Sequence, residues 1–337
     1  MIKRTLYFGS PCYLSKNLSQ LVIALPKSTS LHRQSDPNPS AAAYRSDWRG
    51  DLKTLSSGAL KESNFNAPPP PIPIEDIGVL VLDNQQISIT QGLIQSLIEN
   101  NTAIIHCNYT HHPIGLVLPM EGNDVQSQRF RIQIDASEPL KKQLWQQVVS
   151  AKIRNQAAIL QLQNKPHKTL ERMATTVRSG DAENMEAQAA VHYWANVFDE
   201  KLQFRRGREG DYPNNLLNYG YAVLRATVAR ALVGAGLLPT LGIHHTNKYN
   251  AFCLADDMME AYRPFVDKIV CGLVATNKGN NEDLDKETKA KLLEIITADV
   301  LIDDERSPLM NATQRTATSL FRCYAGQSRK LHLPQLL

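Results

Sequence analysis

Two adjacent histidines and several acids are concentrated in residues 241–260, whose sequence is LGIHHTNKYNAFCLADDMME. If residues 251–262 form a helix, Asp257 and Glu260 lie three positions apart and share one face. Carboxylates on a half-buried helix repel one another and lose hydration, and a bound cation relieves both costs. The segment therefore indicates a candidate metal site. The alternative stays open here, because adjacent histidines arise by chance and acids on a helix are commonly solvated.

A second acidic position lies in the segment NMEAQAAVHYW, residues 184–194. On a helix, Glu186 shares a face with Ala189 and Tyr193. An acid on such a small, apolar face costs free energy unless it is paired or bound to a metal. Glu186 is therefore the best partner for the acids of residues 241–260. The alternative is a buried salt bridge between Glu186 and an arginine.

A basic loop, FRRGR, covers residues 204–208. The guanidinium forks of Arg205, Arg206 and Arg208 have the geometry that suits phosphates, and the glycine lets a backbone approach closely. A solvated loop explains the same residues equally well. The net charge of +4 is compatible with nucleic-acid binding but does not establish it, because the placement of the charges matters more.

Length and composition narrow the class of protein. The 337 residues are enough for two domains, and 42% of them are hydrophobic, so a substantial core is expected. No run approaches the roughly 20 apolar residues of a membrane-spanning helix. The five cysteines are scattered, which argues against a zinc knuckle or a disulfide framework and is typical of a protein in a reducing cytoplasm.

The N-terminal third is predicted to be rich in strands. Residues 77–82 are a continuous apolar run of the kind found in a buried strand, and residues 91–100 carry the period of a helix. Residues 27–73, rich in Ser, Asn and Pro, are typical of an inserted loop or a linker. Further strands are predicted at residues 2–8, 20–25, 86–89, 103–107 and 114–118.

After Pro119 the pattern changes to that of helices. The sequence thus predicts an α+β fold, with a β-rich N-terminal domain at residues 1–118 and a larger all-α C-terminal domain at residues 119–337. Lys152 and Arg154, in the first long helix, are interpreted as part of a solvated face. Helices are predicted at residues 137–163, 184–194, 214–233, 251–262, 264–275, 285–296 and 313–325, with a small strand at 300–302.

Four stretches carry a resemblance to a known family. They are LWQQVVSAKIRNQ at residues 144–156, the segment at 184–194, NNLLNYGY at 214–221, and residues 242–267. Each stretch alone is weak, but their order and spacing are specific together. The chain resembles the CRISPR-associated integrases of spacer acquisition, the Cas1 subunit, and is most similar to the branch found in type II systems. The resemblance covers the chain except for about residues 27–73.

The resemblance implies a set of site residues in the helical domain, which it identifies as the catalytic domain. The metal-binding glutamate of the family falls on Glu186, its metal-binding histidine on His245 and its final acidic ligand on Glu260. Asp257 falls beside that ligand, as the acid that some relatives use. Lys248 falls where relatives have a basic residue near the DNA. These oxygen and nitrogen ligands suit Mg²⁺ or Mn²⁺.

The activity that the resemblance implies is DNA strand transfer, in which a 3′-hydroxyl of foreign DNA attacks a phosphodiester at the edge of a repeat in a CRISPR array. The implied partners are double-stranded DNA, the Cas2 subunit and a second copy of the chain, within a complex of four integrase and two Cas2 chains. Two other functions stay open. One is a standalone metal-dependent endonuclease that acts on branched DNA. The other is a non-catalytic scaffold that binds DNA ends and uses the acids for structural salt bridges.

Overall fold

Ten strands and ten α-helices form the part of the chain that the structure, a computed structural model, describes: residues 3–25, 70–207, 212–276 and 284–336. The strands are β1 (Arg4–Phe8), β2 (Tyr13–Asn17), β3 (Gln20–Ala24), β4 (Ile72–Pro73), β5 (Ile77–Leu82), β6 (Ser88–Ile89), β7 (Ala103–Cys107), β8 (Pro113–Val117), β9 (Asp299–Ile302) and β10 (Glu305–Pro308). The helices are α1 (Gln91–Glu99), α2 (Gln126–Ile134), α3 (Glu138–Leu162), α4 (Lys168–Thr176), α5 (Met185–Val197), α6 (Asn214–Gly234), α7 (Cys253–Met259), α8 (Arg263–Ala275), α9 (Lys286–Leu293) and α10 (Leu309–Tyr324).

A mixed sheet with the strand order β1-β5-β7-β8 lies at the centre of the N-terminal part. Strands β1, β5 and β7 are parallel, and β8 is antiparallel to β7. All six residues of β5 are buried. Leu80 and Leu82 belong to a core shared with the second sheet, β4-β3-β2-β6, and with α1, whereas Val79 and Val81 belong to the core of the helical part. The continuous apolar run of β5 therefore reflects a sheet that is covered on both faces.

The long helices α3 and α6 are the centre of the C-terminal part. Helix α3 packs against α4, α5 and α8, and α6 packs against α7, α8, α9 and α10. Most residues of α6 are buried, because helices surround it and it also contacts β7 and β8. Helix α7 ends at Met259 and continues as the 3-10 turn Glu260–Tyr262, after which Arg263 begins α8 with Pro264 in its first turn.

The predicted fold class is confirmed, because N-terminal strands are followed by a mostly helical part. The strand predicted at residues 300–302 is present as β9, which pairs with β10 in an antiparallel hairpin. The predicted insertion at residues 27–73 lies outside the described residues as far as residue 69, and its last two residues form β4. The division into two domains at residue 118 stays a prediction. Within the described residues, no helix combines the length and the apolar character that crossing a membrane requires.

Candidate active site

Three segments that are far apart in sequence bring charged side chains to one point. Lys152 extends from the middle of α3, Glu186 from the first turn of α5, and Glu260 from the 3-10 turn after α7. The Nζ of Lys152 lies 2.6 Å from Oε1 of Glu186 and 2.6 Å from Oε2 of Glu260. The two acids that the resemblance assigns to one site therefore lie on either side of a single ammonium group.

Lys152 is a member of this cluster that was not predicted from the sequence. Its interpretation as part of a solvated face is wrong, because its side chain is only 11% exposed, whereas Arg154 is exposed. The middle of α3 is enclosed by α4, α5, α8 and the 3-10 turn, so a lysine there needs opposite charges close by. The signal in the sequence is the apolar run VVSAKI around Lys152, which leaves no continuous polar face at that turn.

The charges of the cluster stabilise one another. Burial acts to lower the pKa of the Lys152 ammonium, but the carboxylates of Glu260 and Glu186 outweigh it and raise that pKa. Burial alone would also raise the pKa of the Glu260 carboxyl. The charges of Arg263, Lys152 and His245 instead lower it to about 2, so Glu260 is ionised at neutral pH.

Each carboxylate oxygen of Glu260 faces one cationic side chain in an ion pair. Its Oε1 lies 2.7 Å from Nε of Arg263, which is three positions later in the chain. Its Oε2 is buried and makes no hydrogen bond within the described residues, because the contact with Lys152 is an ion pair without the angle of a hydrogen bond. A buried carboxylate oxygen without a hydrogen bond is costly unless a cation faces it.

Glu186 lies at the open side of the cluster, with a side chain that is 25% exposed. The carboxylate of Asp181 accepts hydrogen bonds from the backbone N–H groups of Met185 and Glu186, at 2.8 and 3.0 Å, and so fixes the first turn of α5. The alternative expected from the sequence was a salt bridge from Glu186 to an arginine. A salt bridge is present, but its partner is Lys152.

His245 is held by Asp257, which lies on α7. The Nδ1 of His245 is 2.5 Å from Oδ1 of Asp257, and the backbone N–H groups of Ile243, His244 and His245 also donate to that carboxylate. The contact assigns the ring proton to Nδ1, which leaves Nε2 as the nitrogen that can bind a cation. The Asp257 side chain is completely buried, and four donors occupy its oxygens.

The imidazole of His245 is influenced by several carboxylates. The hydrogen bond with Asp257 raises the pKa of His245 against the opposing effect of burial, and the charges of Glu260 and Glu186 act in the same direction. Trp145, on α3, contacts the rings of both adjacent histidines, which also meet each other edge-on at 5.3 Å. The exposed ring of His244 stacks on it at a centroid distance of 4.2 Å, whereas the ring of His245 meets it edge-on at 5.8 Å.

The donor set fits a divalent cation with oxygen and nitrogen ligands. As the side chains stand, no group of three His, Cys, Asp or Glu residues in the described ranges is placed to hold a metal ion, and the Lys152 ammonium lies between two of the candidate ligands. That ammonium stands in for the positive charge that the two carboxylates require. The buried Oε2 of Glu260 and an imidazole backed by a carboxylate are features typical of metal ligands.

The basic residues expected to contact DNA differ in their surroundings. Lys248 and Arg205 are exposed, and the Nζ of Lys248 lies 4.9 Å from the centre of the Tyr249 ring. Arg208 lies outside the described residues.

The guanidinium of Arg206 makes hydrogen bonds within the protein. It donates to the side-chain oxygens of Asn214 and Asn218, at 2.9 and 2.8 Å, and so ties the loop to the start of α6. The sequence predicted a phosphate contact for this fork, but two of its donors are already bound to side chains.

A buried acid, Asp267, is linked to the cluster through Tyr221 and Arg263. The hydroxyl groups of Tyr193 and Tyr221 donate to the carboxylate of Asp267, at 3.0 and 2.5 Å. The guanidinium of Arg263 lies 4.6 Å from the centre of the Tyr221 ring. Burial raises the pKa of the Asp267 carboxyl to about 6. No local pattern in the sequence indicates a role for these residues, since only the fold brings the two tyrosines to the acid.

The sequence of the chain matches known proteins over most of its length. The family described as CRISPR associated protein Cas1 matches residues 61–303. The CRISPR-associated endonuclease Cas1 of Neisseria meningitidis serogroup C (strain 8013) is 36% identical over 269 residues, which cover 79% of this chain and 87% of the relative. The chain belongs to the Cas1 family. A second Cas1 relative, from Francisella tularensis subsp. novicida, is 30% identical over 53% of this chain and 64% of its own.

Solved structures extend the likeness to the whole Cas1 fold. A casposase bound to integration product has a TM-score of 0.72 at 18% identity and covers 98% of this chain and 92% of its own. A Cas1 protein from Thermotoga maritima has a TM-score of 0.66 at 15% identity, with 96% and 98% coverage. The resemblance to Cas1 that the sequence carries is therefore confirmed, together with the fold.

Proposed function

We propose that the protein is the integrase of CRISPR adaptation, which joins 3′-hydroxyl ends of foreign DNA to the repeat of a CRISPR array. The observation that carries the proposal is the convergence of Glu186 and Glu260 on the ammonium group of Lys152; the charges of both carboxylates also raise the pKa of His245. Two carboxylates and an imidazole on a Cas1 fold are suited to phosphoryl transfer with a divalent cation.

Glu186, Glu260 and Nε2 of His245 are the groups that would hold Mg²⁺ or Mn²⁺. The family resemblance offered Asp257 as a further ligand; we propose that it orients His245 as a supporting residue, since four donors occupy its oxygens. The chemistry that a bound divalent cation supplies is polarisation of the phosphodiester and stabilisation of the charge on the leaving oxygen.

The reaction proposed for the site is a direct transesterification. The 3′-oxygen of the incoming DNA forms a bond to phosphorus while the bond from phosphorus to the 3′-oxygen of the repeat strand breaks, so no external energy source is required. Lys248 and Arg205 are exposed, and both are proposed to contact phosphates; such contacts position the DNA without reading its sequence. Arg206 shapes the neighbouring loop, and Arg208 is proposed as a further phosphate contact.

Relatives support the proposed partners. One structure with the same fold is a Cas6-RT-Cas1–Cas2 complex, with a TM-score of 0.65, and another is a TtCas1–DNA complex, with a TM-score of 0.54. By analogy we propose that this chain binds double-stranded DNA and the Cas2 subunit. A homodimer within a complex of four integrase and two Cas2 chains follows from the same family resemblance.

A strand-transfer assay tests the proposal. Purified protein is combined with Cas2, donor DNA bearing 3′-hydroxyl ends, repeat DNA and Mg²⁺ or Mn²⁺, and the joined products are resolved on a gel. Glu186→Ala, His245→Ala and Glu260→Ala are each expected to abolish joining. Glu183→Ala is the matched control, because Glu183 is exposed and pairs only with the surface residue Arg178 among the described residues. Near-normal joining by the three variants would remove these residues from the active site.

Hydrolysis by the same residues is a second candidate, favoured by the name endonuclease that the relatives carry. Donor DNA that ends in a 3′-deoxynucleotide separates the two functions. An integrase gives no joined product with this donor, whereas a hydrolase cuts branched DNA whichever donor is present.

A further inference from the structure

Lys152 neutralises two carboxylates that the proposed function assigns to a divalent cation. Its Nζ is 2.6 Å from an oxygen of Glu186 and from an oxygen of Glu260. The geometry is that of one cation between two carboxylates. An ammonium and a divalent cation cannot share this space, because like charges so close together in a partly buried site repel strongly.

The charges around the cluster balance without a further cation. Glu260 faces two positive groups, the ammonium of Lys152 and the guanidinium of Arg263, while Glu186 faces the ammonium. Two carboxylates are thus neutralised by two cations. A divalent cation bound between the carboxylates would leave an excess of positive charge unless one of the two cationic groups moves away.

Lys152 is the group that can move. A lysine carries its charge at the end of a flexible stem of four carbons, and the Glu186 side of the cluster is open to solvent. Arg263 is more constrained, because its planar guanidinium lies over the Tyr221 ring while its Nε pairs with Glu260.

We propose that Lys152 is an exchangeable countercation. Its ammonium holds Glu186 and Glu260 together in the metal-free protein and swings away when a divalent cation binds. This inference rests on the proposed function, since it takes the two carboxylates as metal ligands. Two consequences follow: Lys152 weakens metal binding by competition, and it stabilises the metal-free fold by preventing repulsion between the acids.

The first experiment titrates the full-length protein with Mn²⁺ in a calorimeter at constant pH and ionic strength. Lys152→Gln is expected to bind Mn²⁺ more tightly than the wild type, by on the order of tenfold. Lys152→Arg, which keeps the charge, is expected to gain nothing. Arg154→Gln removes one positive charge from an exposed position of the same helix and is expected to bind like the wild type.

The melting temperature gives a second readout on the same variants. Without Mn²⁺, Lys152→Gln is expected to melt below the wild type, because the two acids then face each other without a cation. Saturating Mn²⁺ is expected to raise its melting temperature by more than it raises that of the wild type.

The third measurement uses the wild-type protein and so does not depend on the folding of a variant. An amine-reactive ester labels lysines, and mass spectrometry follows the rate at Lys152 and at the exposed Lys248. Without Mn²⁺, Lys152 is expected to react much more slowly than Lys248. Mn²⁺ is expected to speed the reaction at Lys152 several-fold and to leave Lys248 unchanged.

The outcomes separate this inference from the proposed function. If the wild type binds Mn²⁺ but Lys152→Gln binds no more tightly, or Mn²⁺ leaves the labelling of Lys152 unchanged, the exchange is overturned and the metal site stands. If the wild-type protein binds no Mn²⁺ at all, both the exchange and the metal site are overturned.

Discussion

The imidazole Nδ1 of His245 lies 2.5 Å from Oδ1 of Asp257, a residue 12 positions later in the chain whose side chain is completely buried. The same carboxylate accepts the backbone N–H groups of residues 243–245. One acid therefore fixes both the loop and the ring at its end. Asp257 therefore holds the His245 ring and is not itself free to bind a metal ion, because a metal ion could reach the Asp257 oxygens only by displacing those donors.

Replacing Asp257 tests this role. Asp257→Asn loses the charge and puts an amide NH₂ where one oxygen accepted hydrogen bonds, so the His245 ring is no longer held in one tautomer. We expect Mn²⁺ affinity to fall by roughly 10- to 100-fold, measured by calorimetry. Asp256→Asn is the control, because Asp256 pairs with Arg225 and Asn250. It is expected to lower stability while leaving the affinity unchanged, and equal losses of affinity in both variants would contradict the assigned role.

Local sequence patterns were sufficient to predict the main helices and strands of the fold. The apolar run of β5 and the 3.6-residue period of α6 are both direct consequences of burial, so they could be predicted. Elements with weaker patterns were missed. Helix α2, with the sequence QSQRFRIQI, has few apolar residues, and strand β2, YLSKN, has one buried side chain. The α-helix predicted at residues 251–262 ends at Met259, because the next residues, Glu260–Tyr262, form a 3-10 turn.

The proximity of Glu186 and Glu260 could be predicted in part because acids on apolar faces are conspicuous in a sequence. The residues that pair with those acids are not conspicuous in the sequence. Lys152 is 34 positions from Glu186, and the apolar run around Lys152 indicates burial without indicating which acids it faces. Arg263 and Asp267 also have roles that arise only when α5, α6 and α8 come together. Long-range pairing of charges is therefore the part of the site that the sequence alone could not supply.

Gly242 lies where the loop that carries His244 and His245 passes α7, and a side chain does not fit there. A Cβ at this position would collide with the backbone oxygen of His245 and would lie 2.8 Å from Oδ2 of Asp257. We expect Gly242→Ala to lower the free energy of unfolding by roughly 1–3 kcal/mol and to impair strand transfer, since the loop must shift. Gly272→Ala is the control, because a Cβ there meets no atom within 4 Å. It is expected to be neutral or slightly stabilising. A Gly242→Ala variant with unchanged denaturation would show that the loop tolerates a side chain.

Asp267 should make stability depend on pH in a predictable direction. Its folded-state pKa is raised to about 6 from an ordinary value of 3.8, so the folded protein binds this proton more tightly than the unfolded chain does. The contribution of Asp267 to stability is therefore greatest at low pH and is lost as the pH rises through about 6. We expect the stability of the wild type relative to Asp267→Asn to fall by roughly 1 kcal/mol between about pH 5 and about pH 7.5. Urea denaturation at several pH values measures this difference, and a constant difference would refute the shift.

A buried charge pair joins the sheet to the helices. The Nζ of Lys289, on α9, lies 3.1 Å from Oδ2 of Asp83, at the end of β5, and both side chains are at most 3% exposed. Tyr7 donates a hydrogen bond to the same carboxylate at 2.6 Å, and Nδ1 of His111 lies 2.9 Å from its other oxygen. Removing one charge would leave the other without its main partner. We expect Lys289→Met to lower the free energy of unfolding by about 3–5 kcal/mol.

The Lys289→Met variant has a matched control and a double substitution that complete the test by chemical denaturation. Lys291→Met removes a charge from the same helix, but Lys291 is exposed and pairs at the surface with Glu294, so a change below about 1 kcal/mol is expected. Combining Lys289→Met with Asp83→Asn should cost less than the sum of the two single substitutions, because neither charge is then left buried alone. If Lys289→Met costs no more than Lys291→Met, the buried pair does not hold the sheet to the helices.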